Sequence, residues 1–376
     1  MKKFLSIALA AVVSVAALAG CGGSAGNYTA ENTEFFIGAT GPLTGDTSSY
    51  GTSVNEGAML AIEEINAAGG LNGVTFKYEM KDDKSTAADA ATGYDTLFEA
   101  GMNVAIGSVT SGSCDSFASK ADEDSLFFIT PSASAANVIE NRPTAFRVCF
   151  GDPDQGTLAA EEITKEYTKI GAIYDTSDPY SKGIFDAFEA KMKELGKEFT
   201  AQSFDAENKK DFTTQIEALK DCEVIFLPIY YTEAGLIAKA AAAKGCEALL
   251  FGCDGFDGVA DQVDDSVKNV IKYITPFDVN SKDATVAKFV ENYKAAYDGK
   301  VPDQFAADGY DAVMAIYEAM KAANVTDPTI SPAELSEAII PAITADDFVY
   351  VGATGEMTWD ESGACTKVPQ IVVLGE

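Results

Sequence analysis

FFIGATGPLTGDTSSYGTSVNEGAMLAIEEINAAGGLNGVTFKYEM, residues 35–80, carries the pattern on which the fold turns. Phe35 to Ala39 reads as a short strand. Val54, Ala58, Ala61, Ile62 and Ile65 then recur at helical spacing, until Ala68-Gly69-Gly70 stops the helix. Val74 to Met80 is a strand again, with Phe76 and Tyr78 alternating against charged neighbours. The unit is strand, helix, strand, and the chain repeats it. A helix over 87–99 leads to the strand Val104-Ala105-Ile106, a loop from Gly107 to Ser113, and a strand over 126–129 ending at Thr130-Pro131.

A break at Arg147 to Pro153 opens a second series. Helices are expected over 158–167, 186–195, 211–219 and 233–244, and extended segments over 170–174, 198–204, 224–227 and 249–251. Apolar strands alternating with helices are the signature of a parallel sheet covered on both faces, here built twice. Helices over 288–297, 312–322 and 332–340 follow, then a turn at Trp359 to Gly363 and a last extended run over 370–374. This tail returns to lobes already begun, and each passage between them is a natural hinge.

Upstream, Lys2 and Lys3 precede an apolar run from Phe4 to Ala19, the layout of a secretory signal too short to span a hydrocarbon core comfortably. Leu18-Ala19-Gly20-Cys21 resembles the lipobox of bacterial lipoproteins, so cleavage is expected to leave a lipidated Cys21 that anchors the protein outside the cell. Residues 22–34 are then a polar tether.

With 27 Lys+Arg against 58 Asp+Glu, the formal charge is −31, which repels phosphate backbones and argues against nucleic acid as a partner. There is no histidine, which removes the commonest general base and the Ser-His-Asp systems. No nucleophile–base pair, Walker motif or GxGxxG loop points to an enzyme, and no metal or cofactor is expected. Besides Cys21, six cysteines lack the spacing of a metal site. Cys222 and Cys246 each open an apolar strand; if those strands are neighbours the two could bridge, and otherwise they are buried thiols.

Several segments together resemble type I periplasmic binding proteins, most of all the substrate-binding component of branched-chain amino-acid ABC transporters. They are Ile37-Gly38-Ala39-Thr40-Gly41-Pro42-Leu43-Thr44-Gly45, Tyr50-Gly51, Ile65 to Gly70, Thr130-Pro131-Ser132-Ala133-Ser134, Tyr230-Tyr231-Thr232-Glu233, Gly252-Cys253-Asp254-Gly255 and Gly355 to Asp360. The resemblance covers the whole mature chain. It implies two Rossmann-like α/β lobes with parallel sheets joined by three hinge crossings: 35–148 with 279–345, and 149–278 with 346–376. It also implies a monomer that passes a small amino acid to an ABC permease. Other small ligands (an amide, urea, an aromatic acid, a short peptide) and a sensory role are the alternatives.

A zwitterion needs donors for its carboxylate, acceptors for its ammonium and a pocket for its side chain. Ser111 lies in a Gly/Ser loop before a helix, where its hydroxyl and the helix N-terminus suit a carboxylate; a capping serine is the plainer reading. By family position the Ser132 carbonyl and Ser134 hydroxyl meet the ligand, against a simple Ser/Ala turn. Asp254 matches an acidic residue, Glu in the best-known members, that pairs with the ammonium; an Asp-Gly turn is the alternative. Tyr50, Tyr180 and Tyr230 are expected in loops facing the ligand, with Phe277 and Thr110 as further lining. The familiar members carry a disulfide-bonded cysteine where this chain has Thr110, and no cysteine lies near Asp82-Asp83, so that bridge is absent.

Overall fold

A computed structural model describes residues 32–375. The expected signal, Cys21 and most of the tether lie outside the described residues. The first series builds β1 (Phe35–Gly41), α1 (Ser48–Ala67), β2 (Phe76–Asp82), α2 (Ala87–Glu99), β3 (Val104–Ala105), α3 (Ser111–Glu123), β4 (Phe128–Thr130) and β5 (Ala145–Arg147). The second builds α4 (Asp152–Glu166), β6 (Ile170–Asp175), α5 (Pro179–Glu194), β7 (Thr200–Phe204), α6 (Thr213–Leu219), β8 (Val224–Leu227), α7 (Tyr231–Lys244), β9 (Leu249–Gly252) and β10 (Ile271–Thr275). Then come α8 (Ala284–Ala296), α9 (Gln304–Ala322), α10 (Pro332–Ile343), β11 (Tyr350–Gly352), β12 (Gly355–Met357) and β13 (Gln370–Val373).

The first sheet runs β2-β1-β3-β4-β5, all parallel. The second runs β7-β6-β8-β9-β10, also parallel, and β13 joins the β10 edge antiparallel. Numbered within each lobe, both read 2-1-3-4-5, a doubly wound order that reverses between its first and third strands. Ligands of such sheets bind outside the carboxyl ends of the strands, and here both sets of carboxyl ends face the same cleft. All residues of β1, β8 and β9 are buried, as strands covered by helices on both faces must be. At the outer edge, β2 buries Phe76 and leaves Lys77 exposed.

α9 follows the second sheet in sequence yet packs on α1 of the first lobe. Two glycines permit the approach: a Cβ on Gly57 would stand 1.9 Å from the Ala306 carbonyl oxygen, and one on Gly309 2.4 Å from that of Val54. The chain crosses between lobes after β5, after β10 and between β12 and β13.

The segment 346–376, expected with the second lobe, divides. Asp311 of α9 accepts hydrogen bonds from Tyr350 Oη, the Ala353 and Thr354 amides and Thr354 Oγ1, so the β11–β12 hairpin sits on the first lobe. Trp359 Nε1 donates to the Arg147 carbonyl oxygen at 2.7 Å, beside β5. Of this tail, β13 supplies the strand paired into the second sheet. The apolar content of 370–374 does not distinguish these neighbours, whereas the buried Asp311 carboxylate needs the hairpin's amides. The six cysteines are free thiols; Cys222 is half-buried rather than fully so. Among the described residues no helix is long and apolar enough to cross a membrane.

Candidate functional site

Between the lobes lies a small cavity that the closed lobes leave almost filled. The first lobe supplies Tyr50, Val109, Thr110, Ser111, Ser132 and Phe305, and the second supplies Tyr180, Tyr230, Asp254 and Gly255. Seven of the nine expected residues therefore converge. Ser134 lies behind Ser132, fully buried. Phe277 does not line the cavity; its ring packs edge-on against Phe289 in a small cluster beneath α8. A larger outer chamber lined by residues of both lobes, including Asp46, Lys84, Asp178, Lys209 and Glu233, shares the Tyr230 ring with the cavity.

At one end α3 presents its N-terminus. Thr110 is the N-cap and Ser111 the first helical residue, so the helix starts two residues before Ser113. The unpaired N–H groups of a first turn and the positive end of the helix dipole suit a carboxylate. Ser111 Oγ accepts the Ala135 amide at 3.2 Å, leaving its own proton free to donate. Ser132 Oγ is committed to the Val109 carbonyl oxygen at 2.8 Å, so only its main chain is available. The loop is held by a polar chain in the place where the family's familiar members carry a disulfide. Ser108 Oγ donates to the buried Asp83 at 2.5 Å and is linked through Ser113 to Thr110.

At the other end stands Asp254, 5 % exposed, in the turn after β9. Burial pushes its carboxyl up to about 6, opposed by hydrogen bonding from Tyr180, Gln155 and the Gly255 amide and by the charge of Lys367. Tyr180 Oη donates to Asp254 Oδ1 at 2.6 Å and accepts the Gly255 amide at 2.9 Å. Its ring stacks on Tyr230, centroids 4.8 Å apart at 8°.

Tyr50 and Phe305 form the apolar wall with Val109, their rings stacked at 4.0 Å. Tyr50 also joins the lobes: its hydroxyl donates to the Gly255 carbonyl oxygen at 2.5 Å and accepts the Tyr231 amide at 3.2 Å. Tyr50 and Tyr180 sit in the first turns of α1 and α5 and Tyr230 caps α7, so only the last lies outside a helix.

Phe305, Gln304, Lys367 and Asp308 were not visible as site residues in the sequence. Gln304, 1 % exposed, opens α9 of the first lobe yet bonds second-lobe and crossing residues. Its Nε2 donates to the Asp254 carbonyl oxygen, its Oε1 accepts from Thr275 Oγ1 at 2.9 Å, and its amide donates to Asp257 Oδ2 at 2.9 Å. The available signal was Asp303, an N-cap residue ahead of Gln304-Phe305. Lys367 on the third crossing is buried against Asp308 at 2.9 Å. Burial works against its charge, but Asp308 and Asp311 outweigh it and raise its pKa. That cation also acts on Asp254, so the site is not served by neutral donors alone.

Two hinged, doubly wound lobes that jointly enclose a small polar cavity define a two-lobed solute-binding protein, in which closure of the cleft completes the site. The chain belongs to the periplasmic binding protein family, whose profile matches residues 34–366. It is 28% identical over 377 residues to Leu/Ile/Val-binding protein homolog 1 of Brucella suis biovar 1 (strain 1330), covering 98% of this chain and 94% of that one. Its structure resembles LivJ, a branched-chain amino acid transporter substrate binding protein of Streptococcus pneumoniae solved with isoleucine (TM-score 0.81, 26% identity, 90% of this chain and 95% of that). It also resembles LivK, a leucine binding protein of Thermotoga maritima MSB8 (TM-score 0.80, 26% identity, 90% and 94%).

Proposed function

We propose that the protein captures a small aliphatic amino acid of the leucine, isoleucine and valine class between its lobes and delivers it to an ABC permease. It acts outside the cell as a monomer, tethered to the membrane through a lipidated Cys21. The observation that carries this reading is the polarity of the cavity: the α3 N-terminus with Ser111 opposes the Asp254 carboxylate, and Val109, Tyr50 and Phe305 form an apolar wall. A zwitterion matches both ends, and an aliphatic side chain matches the wall. The names of the relatives support the same ligand class.

Ligand bound to one lobe gains its remaining hydrogen bonds when the hinge closes, so closure and affinity are linked. Micromolar binding corresponds to about −8 kcal/mol, within reach of a few charge-assisted bonds in a cavity that excludes water. Isothermal titration against the twenty amino acids tests the reading: heat is expected with the branched aliphatic members, and silence from all twenty would retire it.

A further inference from the structure

Two cysteines meet on two different crossings between the lobes. Cys149 follows β5 on the first crossing, and Cys365 lies between β12 and β13 on the third. Cys365 Sγ donates to the Cys149 carbonyl oxygen at 3.3 Å. The two backbones run side by side in the same direction: the Gly363 carbonyl oxygen accepts the Arg147 amide at 3.1 Å, and two residues further along each chain stand Cys365 and Cys149. The approach is so close that a Cβ on Gly363 would lie 2.0 Å from the Ala145 carbonyl oxygen.

Hydrogen-bonded backbones stand about 4.8 Å apart, inside the roughly 4.4–6.8 Å between Cα atoms that a disulfide spans. Joining the sulfurs therefore asks for side-chain rotation rather than a shift of backbone. The other four thiols of the described residues offer no such tie. Cys114 packs in a first-lobe cluster and Cys253 in a second-lobe one. Cys222 and Cys246 precede neighbouring strands of one sheet, where a bridge would leave the hinge untouched.

Burial keeps both crossing cysteines as thiols at neutral pH. It pushes Cys365 up to about 11, against the charges of Lys367 and Arg147, and raises Cys149 as well. Cys365 is the more exposed of the two, so an external disulfide reaches it first. Thiol–disulfide exchange then balances without any further reactant. The Cys365 thiolate attacks a low-molecular-weight disulfide, and one small thiolate leaves and takes up a proton. The Cys149 thiolate attacks the Cys365 sulfur of the mixed disulfide, and the second small thiolate leaves in the same way. Two protein thiols are oxidised and one small disulfide is reduced to two thiols. A periplasmic binding protein works outside the reducing cytosol, where such an oxidant persists.

Opening and closing turn backbone dihedrals in the crossings, and a covalent tie removes the freedom of two of them to change independently. The cysteines touch in the form whose lobes are joined by Tyr50 and Gln304, so that is the form the tie holds. We propose that Cys149 and Cys365 are a redox-controlled clasp: oxidation joins the first and third crossings by a disulfide and slows opening of the cleft, and reduction restores it.

The test incubates the full chain, as wild type, Cys149→Ser and Cys365→Ser, with glutathione disulfide, followed by tryptic mapping without reductant. The peptide bearing Cys149 is expected joined to the one bearing Cys365 in wild type and in neither variant. No such joined peptide, or a bridge between Cys222 and Cys246 alone, overturns the proposal. The link closes 216 residues of chain, so the melting temperature of oxidised wild type is expected to rise by about 4 °C or more and to return with dithiothreitol. Leucine release in stopped-flow is expected to slow about 5-fold or more on oxidation. That last measurement rests on the amino-acid reading, and the peptide map and the melt do not. A joined peptide with unchanged leucine release overturns the clasp and leaves amino-acid binding intact. A joined peptide and a higher melt, with no leucine binding in either redox state, sinks that reading and keeps the clasp. If Cys149→Ser fails to fold, Cys365→Ser and the wild type before and after reduction decide.

Discussion

At the rim of the cleft, Lys209 of the second lobe lies 3.3 Å from Asp46 of the first and 3.3 Å from Glu233 beside it, and Thr232 Oγ1 donates to the Asp46 carbonyl oxygen at 2.8 Å. Deeper in, Tyr50 and Gln304 bridge the same two lobes through hydroxyl, amide and main-chain groups that solvent does not reach. The rim contacts carry more formal charge, but in the Lys209–Asp46 pair that spans the lobes both groups keep part of their hydration, and salt screens them; Glu233, on the same lobe as Lys209, is nearly buried. The inner contacts carry little charge, but every lost bond leaves a partner stranded in a dry interior. What holds the lobes on a ligand is therefore set by burial rather than by charge.

The largest effect is expected where the two coincide. Asp254 is both charged and buried, and truncating one side of a buried, hydrogen-bonded charge pair costs about 2–5 kcal/mol. Asp254→Ala should weaken the tightest amino acid by at least about 30-fold in calorimetry, with Tyr180 losing its acceptor as well. A change below about 5-fold would mean that the ammonium is held elsewhere.

Tyr50→Phe removes one hydroxyl from the inner bridge and leaves the Gly255 carbonyl and Tyr231 amide unpaired in the closed form. A stranded buried group costs about 1–3 kcal/mol, so affinity should fall about 10-fold, mostly through faster release in stopped-flow. Gln304→Leu severs the bonds of the Gln304 side chain to Asp254 and Thr275 without touching the cavity. It should have an effect of similar size; unchanged affinity in both variants would break the contrast drawn between centre and rim.

The sequence made the core legible and the cleft much less so, for one physical reason. Helical periodicity reports the residues that face a core. In this fold the first turn of a helix points at the carboxyl ends of the strands, into the cleft, where the residues are polar and the period is lost. The helices expected to begin near 54, 158, 186 and 312 begin at Ser48, Asp152, Pro179 and Gln304. The omitted turns hold Tyr50, Asp152, Gln155, Tyr180, Gln304 and Phe305. Tyr50, Tyr180 and Asp254 were still named because the resemblance to the family marks their positions. Gln304 and Lys367 had no such mark, and what they do depends on partners distant in the chain, Asp254 for the one and Asp308 for the other. Departure from a local rule near a ligand is what a functional surface produces.

Burial also sets the response to pH. Asp178 and Asp308 are pushed up to about 7 and Asp254 to about 6, in each case chiefly by burial. A carboxyl whose folded value lies above its unfolded value binds a proton more tightly when folded. Stability then rises as pH falls through that window, opposite to the usual paired carboxylate. Without ligand, the melting temperature at pH 5.5 should exceed that at pH 8 by about 2 °C or more. Saturating amino acid should narrow the gap, because its ammonium favours ionised Asp254. A ligand-free protein that melts lower at pH 5.5 would show that these carboxyls are hydrated rather than dry.

The smallest effect is expected at the rim. The pair that spans the lobes, Lys209 with Asp46, keeps about a third and two-thirds of its side chains exposed, whereas Glu233 pairs with Lys209 within the second lobe, and exposed ion pairs contribute about 0.2–1 kcal/mol. Lys209→Ala should change affinity by less than about 5-fold, and the difference from wild type should shrink further in 0.5 M salt as screening removes what the ion pairs contributed. The Thr232 bond to Asp46 survives the substitution, so the rim does not open. A loss of tenfold or more, insensitive to salt, would place the latch at the mouth of the cleft and demote Tyr50 and Gln304 to packing.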